Sequence, residues 1–179
     1  MSLKMQSNTP QSKCLTPNLK LWVIATLLLP CFVFLLNNIK IAVDNQPIRC
    51  LPERVYFINN FVKPKRLDYV YFSSDAMRKA SSKNDYLSAH SKIIKQLVGI
   101  PGDRLLINRR GVFINDQLLS TDLSIARLLY QKEASDFYKD EIIPADSYFV
   151  FGTHPLSNDS RFWGYLPISD VLGKATGLL

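Results

Sequence analysis

The sequence predicts a mainly β domain preceded by one apolar helix, and three observations support this. Short segments rich in Val, Ile, Tyr and Phe recur after residue 54, separated by turn sequences such as PGD and NRRG. A single uninterrupted apolar run, residues 21–36, precedes these segments. The chain has 179 residues, which allows one catalytic or binding domain of ordinary size once the apolar run is set aside.

The apolar run LWVIATLLLPCFVFLL is a candidate membrane anchor. Its 16 residues would span about 24 Å as a helix, against a bilayer core of about 30 Å, so Lys20 and Lys40 would have to snorkel. The run has no polar face, which disfavours a buried core helix, and no small-residue cleavage site follows it, which disfavours a cleaved secretory signal. We therefore expect an uncleaved transmembrane anchor over residues 21–40, in contact with the lipid bilayer.

The charge distribution predicts an orientation for this anchor. Four lysines and no acid precede Asp44, whereas residues 44–179 hold 18 basic and 15 acidic groups. The positive-inside bias is weak and favours a cytoplasmic tail, residues 1–20, with an extracytoplasmic domain, residues 44–179, at the inner (cytoplasmic) membrane. The near-balanced charge of that domain gives no reason to expect a nucleic-acid partner.

The domain is predicted to hold six strands and one helix. A polar, serine-rich connection is expected over residues 73–91, and a helix over 120–141, where Leu123, Ala126 and Tyr130 recur at helical spacing. The predicted strands cover residues 54–62, 68–72, 92–100, 104–108, 111–115 and 147–152.

The three cysteines fall in three different compartments under this topology. Cys14 would lie in the tail, Cys31 in the membrane, and Cys50 alone in the extracytoplasmic domain. A single cysteine in an oxidising compartment cannot form an internal disulfide, so Cys50 is either intermolecular, reactive, or a small buried apolar residue.

Lys95 stands at an unusual position in KIIKQLVGIPGD. On a strand it shares a face with Ile93 and Leu97, and burial among apolar neighbours would disfavour its charged form, which is how a lysine becomes a general base near neutral pH. The alternative is a solvated position, with Ile94 and Val98 as the buried pair.

The segment SNDSRFWGYLP, residues 157–167, resembles a loop entering a final strand. Asp159 and Arg161 are close enough in sequence to pair, and the nearby His154 is typical of a hydrogen-bonded loop histidine. Two scattered histidines and three separated cysteines offer no metal-ligand spacing, and GIPGD is a proline turn rather than a phosphate loop. No metal and no cofactor are therefore expected.

Together these segments resemble the type I signal peptidases. KQLVGIPGD, residues 95–103, is similar to that family's lysine-bearing box. YFVFG, SNDSRFWG and VLGKA are similar to its last box, and CLPERVYFI is similar to the nucleophile box of the smaller conjugative-transfer (TraF-type) branch. The match runs from about Cys50 to Ala175, in the family's order.

The resemblance implies a role for each matching residue. Cys50 falls on the catalytic serine, Lys95 on the general base, Asp159 on the acidic residue that supports the site, and Arg161 on the arginine that pairs in the last box. Two departures stand out: the nucleophile is a thiol, and Ile48 occupies a position where these peptidases often have a serine that contributes to the oxyanion hole. The oxyanion is then left to backbone N–H groups.

The resemblance implies a signal-peptidase-like antiparallel β-sheet domain with a small inserted α/β cap, acting as a membrane-bound peptidase through a Cys/Lys dyad. In the TraF-type branch it implies a pilin precursor as substrate, possible cyclisation of the product, and partners in the conjugation apparatus. Two alternatives are a general type I signal peptidase that removes leader peptides from preproteins, and a non-catalytic anchored scaffold of a secretion or pilus apparatus.

Overall fold

The computed structural model describes residues 18–45, 49–85 and 87–178. The chain divides into two units, Met1–Asn37 and Asn38–Leu179. The predicted tail up to residue 17, with Cys14, and the oxyanion position Ile48 lie outside the described residues.

The apolar run forms helix α1, Leu19–Asn38, with Pro30 inside it. No helix among the described residues is both long enough and apolar enough to cross a membrane. The transmembrane span expected over residues 21–40 is thus not found. The helix ends at Asn38, and the next two residues, Ile39 and Lys40, belong to a β-strand.

The unit Asn38–Leu179 is mainly β, as predicted, and all its strand pairs are antiparallel. In chain order the described strands are β1 Ile39–Val43, β2 Val55–Asn59, β3 Tyr69–Ser73, β4 Lys92–Gly99, β5 Arg104–Asn108, β6 Gly111–Ile114, β7 Gln117–Ser120, β8 Lys139–Ile142, β9 Ser147–Phe151, β10 Leu166–Pro167 and β11 Val171–Gly177. The short helices are α2 Ser74–Ala80, α3 Ile125–Leu128 and α4 Ser160–Trp163.

Two sheets hold these strands. The larger has the order β1-β2-β11-β3-β4-β9-β10, and the smaller has the order β7-β6-β5-β8. The smaller sheet and α3 are formed by the chain between β4 and β9, so they are an insertion into the larger sheet. Val98 and Phe149 from the larger sheet pack with Leu105 and Val112 from the smaller one, which joins the two through a common apolar core.

Helix α2 covers one face of the larger sheet next to β3 and β4. Its Ala76 and Met77 pack against Val70, Leu97 and Trp163 in a buried cluster. The hydroxyl of Ser73 accepts a hydrogen bond from the Asp75 N–H at 3.3 Å and caps the helix. The serine-rich connection 73–91 therefore contains a packed helix as well as polar turns.

The long helix predicted over residues 120–141 is wrong. Within this segment only α3 is an α-helix. Residues Lys139–Ile142 form strand β8, which pairs with β5. Gln131 has a φ of 54°, in the left-handed region that a right-handed α-helix cannot include. The apolar residues at helical spacing are buried without a long helix. Ala126, in the single turn of α3, and Tyr130, just after it, pack against Phe137 and Phe162.

The six predicted strands are all present, with ends that differ by no more than a few residues. The short strands β1, β7 and β8 were not predicted. The final strand expected after the loop 157–167 is present as the two-residue strand β10, and the longer β11 that follows it was not predicted separately. SRFW, expected as loop, forms α4, for which Asp159 is the N-cap.

Candidate active site

Cys50 lies in a turn between β1 and β2, and its thiol is free and partly exposed. The backbone N–H of Thr153 donates to the Cys50 carbonyl at 2.8 Å, and the Thr153 hydroxyl donates to the same oxygen at 3.2 Å. The Arg49 guanidinium donates to the carbonyl of Pro52 at 2.9 Å, across the same turn. These bonds fix the backbone that presents the thiol.

The same turn is anchored on its other side by a carboxylate between two phenols. The Tyr56 hydroxyl donates to the Glu53 carbonyl at 2.9 Å, and the Tyr69 hydroxyl donates to the Glu53 carboxylate at 3.1 Å. Burial, reinforced by Glu53, raises the pKa of Tyr56 and raises the pKa of Tyr69 to about 12. Both phenols therefore stay protonated donors at neutral pH and hold the turn against the sheet.

Lys95 is buried on β4, with 4% of its surface exposed. The prediction of a buried lysine is confirmed, and the alternative of a solvated position is wrong. Its ammonium nitrogen Nζ donates to Ser157 Oγ at 2.7 Å. Among the described residues no carboxylate forms an ion pair with Lys95.

Ser157 was not singled out by the sequence, although it opens the segment SNDSRFWG. It is fully buried, and its N–H donates to the His154 carbonyl at 2.9 Å, so a tight turn sets its position. Its position at the start of that segment, two residues before Asp159, is the sequence feature that could have identified Ser157 as a site residue.

Gly152 brings the nucleophile turn and Ser157 together. A Cβ at this position would overlap the Ser157 hydroxyl and would lie 3.2 Å from the Cys50 Cβ. Only a residue without a side chain allows this approach, so Gly152 is a packing requirement of the site.

Asp159 and Arg161 form a buried ion pair behind the site. Arg161 Nε donates to Asp159 Oδ1 at 2.8 Å and Nη2 donates to Oδ2 at 2.9 Å, with 0% and 1% of the two residues exposed. Asp159 Oδ2 also accepts from the Gly152 N–H at 2.9 Å, and Arg161 Nη2 donates to the Ser157 carbonyl at 3.1 Å. The guanidinium lies 4.6 Å from the centre of the Phe151 ring, a cation–π contact.

Cys50 and Lys95 open onto one cavity of about 710 Å³. Asn158 also lines it, and the remaining wall is mostly apolar. It comes from β1, the turn after β1, β2, β3, α2, the connection from α2 to β4, β4 itself and the loop before Ser157: Ala42, Val43, Leu51, Tyr56, Tyr71, Met77, Leu87, Ile93, Ile94 and Leu156. Asp159 and Arg161 do not line this cavity. They hold the loop that carries Ser157 and the backbone at Gly152.

Comparisons with known proteins place the chain in a family. A family model described as signal peptidase, peptidase S26, matches residues 16–179. The chain belongs to this family.

The relatives of this signal peptidase family member bear related names. A probable signal peptidase I-2 from Synechocystis is 30% identical over 114 residues, 63% of this chain and 46% of that protein. A signal peptidase I from Leptolyngbya laminosa is 29% identical over 129 residues, 71% of this chain and 57% of that protein. The chloroplastic thylakoidal processing peptidase 1 from Arabidopsis thaliana is 27% identical over 128 residues, 71% of this chain and 35% of that protein. The chain spans about half the length of the first two relatives.

The structure thus brings Cys50 and Lys95 of this signal peptidase family member to one cavity and sets the Asp159 and Arg161 pair beneath it. No group of three or more His, Cys, Asp or Glu side chains among the described residues could hold a metal ion.

Proposed function

We propose that this chain is a peptidase that removes leader peptides from preproteins, with Cys50 as nucleophile and Lys95 as general base. One observation carries the proposal: a buried lysine without a carboxylate partner in the described residues, hydrogen-bonded at 2.7 Å to Ser157, opens onto the same cavity as a free thiol. The family match supports the reaction class.

The proposed chemistry is acyl transfer. The Lys95 amine takes the proton of the Cys50 thiol, and the sulfur attacks the scissile carbonyl carbon to form a tetrahedral oxyanion. The oxyanion collapses to a thioester as the C–N bond breaks, and the amine leaving group takes the proton back from Lys95. Water, deprotonated by the same lysine, then hydrolyses the thioester and restores the thiol.

A thiol is a reasonable replacement for a serine hydroxyl in this pair. A free cysteine ionises near a pKa of about 8.5, far below an aliphatic hydroxyl, so it makes a smaller demand on the base. Ser157 supports the exchange because its hydroxyl can accept from the lysine when the lysine is protonated and can donate to it when the lysine is neutral.

The sheet offers a place for an extended substrate. Strand β9 pairs with β4 only from Gln96 onward, opposite Phe151, and the chain then turns away so that Thr153 bonds to Cys50. The part of β4 from Lys92 to Lys95 therefore has no strand partner on that side within the described residues. A peptide added as a strand to this edge would place its carbonyls beside Lys95.

The test is cleavage of a synthetic preprotein segment by the purified chain, followed by mass spectrometry. Cys50→Ala and Lys95→Met are expected to abolish cleavage, and Cys50→Ser is expected to retain a measurable fraction. Cys31→Ala, at an exposed cysteine outside the site, and Lys63→Met, at an exposed loop lysine, are the matched controls and should cleave as the parent does. Undiminished cleavage by both Cys50→Ala and Lys95→Met would refute the dyad and leave the scaffold alternative.

A narrower version of the proposal takes a pilin precursor as the substrate, for conjugative transfer. It is supported only by the similarity of CLPERVYFI to the TraF-type nucleophile box. The names of the relatives fit the removal of leader peptides in general at least as well as they fit a pilin substrate. In the narrower version the pilin's own N-terminal amine attacks the thioester. A product one water lighter than the cleaved peptide would support it, and a linear product would favour the general reading.

The proposal also places the unit Asn38–Leu179 outside the cytoplasm, where leader-bearing chains emerge. Digestion of this unit by protease added to intact spheroplasts would support that location, and full protection until lysis would contradict it.

A further inference from the structure

We propose that Tyr130 and Asn84 are positioning residues of the site. They hold the side chain of Asn158 and, through it, the hydrogen bond between Lys95 and Ser157. By this route the insertion between β4 and β9, which carries Tyr130, contributes to reactivity although the proposed nucleophile and base lie elsewhere in the chain. The inference rests on the proposed function, because it concerns how the proposed base is held.

A chain of hydrogen bonds joins three segments that are far apart in the sequence. The Tyr130 hydroxyl donates to Asn158 Oδ1 at 3.1 Å. The Asn158 amide nitrogen donates to Asn84 Oδ1 at 2.6 Å, and the Asn84 amide nitrogen donates to the Met77 carbonyl of α2 at 2.8 Å. The side-chain amide of Asn158 is thus bonded through both its oxygen and its nitrogen, which fixes its orientation.

The three side chains of this network are buried. The exposed fractions of Asn84, Tyr130 and Asn158 are 0%, 4% and 9%. A buried amide or hydroxyl that loses its partner has no water nearby to replace it, so each bond of the network resists the breaking of the others.

Tyr130 is held rigidly by aromatic packing. Its ring stacks on Phe162 of α4 with the ring centres 5.8 Å apart, and it makes a T-shaped contact with Phe137 at 5.5 Å. Aromatic pairs of this kind restrict the ring and leave its polar end to find a hydrogen-bond partner. The insertion therefore presents a fixed donor to Asn158.

Asn158 transmits this constraint to Ser157 because the two are neighbours in an irregular segment. Residues 152–159 form neither helix nor strand, so local bonds determine where the Ser157 hydroxyl lies to accept from Lys95 Nζ at 2.7 Å. Hydrogen bonds weaken steeply when their geometry is lost, and catalytic groups must be held within about 0.5 Å. The Ser157 backbone is also bonded to His154 and Arg161, so releasing Asn158 should weaken the contact with Lys95 without abolishing it.

The first experiment measures steady-state cleavage by Tyr130→Phe, which removes one hydroxyl and keeps the packed ring. We expect kcat to fall about 3-fold to 10-fold, the effect of one neutral hydrogen bond, with KM unchanged. Asn84→Ala, at the other end of the network, should also lower kcat. Tyr138→Phe, at an exposed tyrosine of the same insertion, is the matched control and should cleave as the parent does. Equal kcat values for Tyr130→Phe and Tyr138→Phe would overturn the inference.

A double variant separates positioning from a general loss of stability. If Tyr130 acts through Ser157, its hydroxyl has no hydroxyl left to position in Ser157→Ala. Adding Tyr130→Phe to Ser157→Ala should then leave kcat unchanged, whereas independent effects would multiply. Circular dichroism at the assay temperature checks that the compared variants are folded. A further loss in the double variant as large as that of Tyr130→Phe alone would overturn the inference.

A measurement without turnover keeps this test distinct from the proposed function. In alkylation by iodoacetamide the Cys50 thiolate displaces iodide and forms a C–S bond, so the rate, read by mass spectrometry, reports how readily the thiol loses its proton to Lys95. Slower alkylation in Tyr130→Phe, with no further slowing when the change is added to Ser157→Ala, would support the inference even if no peptide were cleaved, in which case the proposed function alone would fail. Alkylation of Tyr130→Phe at the parent rate, in the absence of cleavage, would overturn both.

Discussion

Removing the charge of Asp159 should destabilise the fold far more than removing the charge of an exposed aspartate. Asp159→Asn keeps the shape of the side chain but leaves Arg161 buried without a counter-charge. In the parent the carboxylate accepts from two guanidinium nitrogens at 2.8 and 2.9 Å and from the Gly152 N–H at 2.9 Å. Arg161 keeps only neutral acceptors, including the carbonyls of Asp122 and Ser157.

The expected cost follows from the burial of the pair. Breaking a buried ion pair by removing one partner costs about 3 to 5 kcal/mol, because the remaining charge stays desolvated. For a domain of this size, about 1 kcal/mol lowers the midpoint of thermal unfolding by roughly 3 °C. Asp159→Asn should therefore lower the midpoint by roughly 10 to 15 °C.

The assay is thermal unfolding followed by circular dichroism, with Asp140→Asn as the matched control. Asp140 also forms a bidentate pair, with Arg104 at 2.6 and 2.8 Å, but this pair is on the surface, where water screens it. The double variant Asp159→Asn/Arg161→Met should be less destabilised than the sum of its single changes. Equal midpoints for Asp159→Asn and Asp140→Asn would refute the reasoning.

Three further predictions concern the surroundings of the site. Ser157→Ala removes the acceptor of the hydrogen bond from Lys95 and should lower kcat. The loss should be a part of the roughly 100-fold to 10,000-fold that general base catalysis contributes, and the pH profile of kcat should change. An unchanged kcat and pH profile would contradict this. Gly152→Ala should destabilise the domain by about 1 to 3 kcal/mol in urea unfolding, since the added methyl overlaps the Ser157 hydroxyl, and a parent-like unfolding curve would contradict this expectation. Hydrogen bonds from the Ser73 hydroxyl and then from His90 lower the pKa of Asp75 from its usual 3.8 to about 2. The stability that this carboxylate contributes is present above about pH 4 and is lost as the pH falls through about 2. Asp75→Asn should therefore lose less free energy of unfolding than the parent between pH 5 and pH 2. Equal losses in the two proteins would contradict this.

Much of this site could be anticipated from the sequence because the evidence there is local. Lys95 stands out on a strand whose same-face neighbours are apolar, and Asp159 and Arg161 are two residues apart at the start of a turn. Cys50 was isolated by counting cysteines along the chain. For Lys95, Asp159 and Arg161 a short stretch of sequence contains the information needed to recognise the residue, whereas Cys50 needed the cysteine count of the whole chain.

The parts that could not be anticipated depend on contacts between distant segments. Nothing in the sequence distinguishes Ser157 from the other serines, because its role depends on the hydrogen bond from Lys95 on the distant strand β4. The need for glycine at position 152 likewise depends on the close approach of Cys50 and Ser157. The same limit explains the incorrect helix over 120–141, since apolar residues at helical spacing can also be buried from separate short turns against Phe162. Strand β8 is polar and mostly exposed, so its pairing with β5 leaves no hydrophobic alternation to detect.

The place of β11 in the larger sheet has a consequence for when the proposed Cys50 and Lys95 dyad can form. The hairpin β1-β2, which leads to and from Cys50, and the pair β3-β4, which carries Lys95, are hydrogen-bonded to β11 on either side and not to each other in the strand order. During synthesis both pairs leave the ribosome well before Val171–Gly177 does. Until that strand docks, the sheet gives the Cys50 thiol and the Lys95 amine no common framework, so a nascent chain would carry both groups without the geometry that the proposed dyad requires.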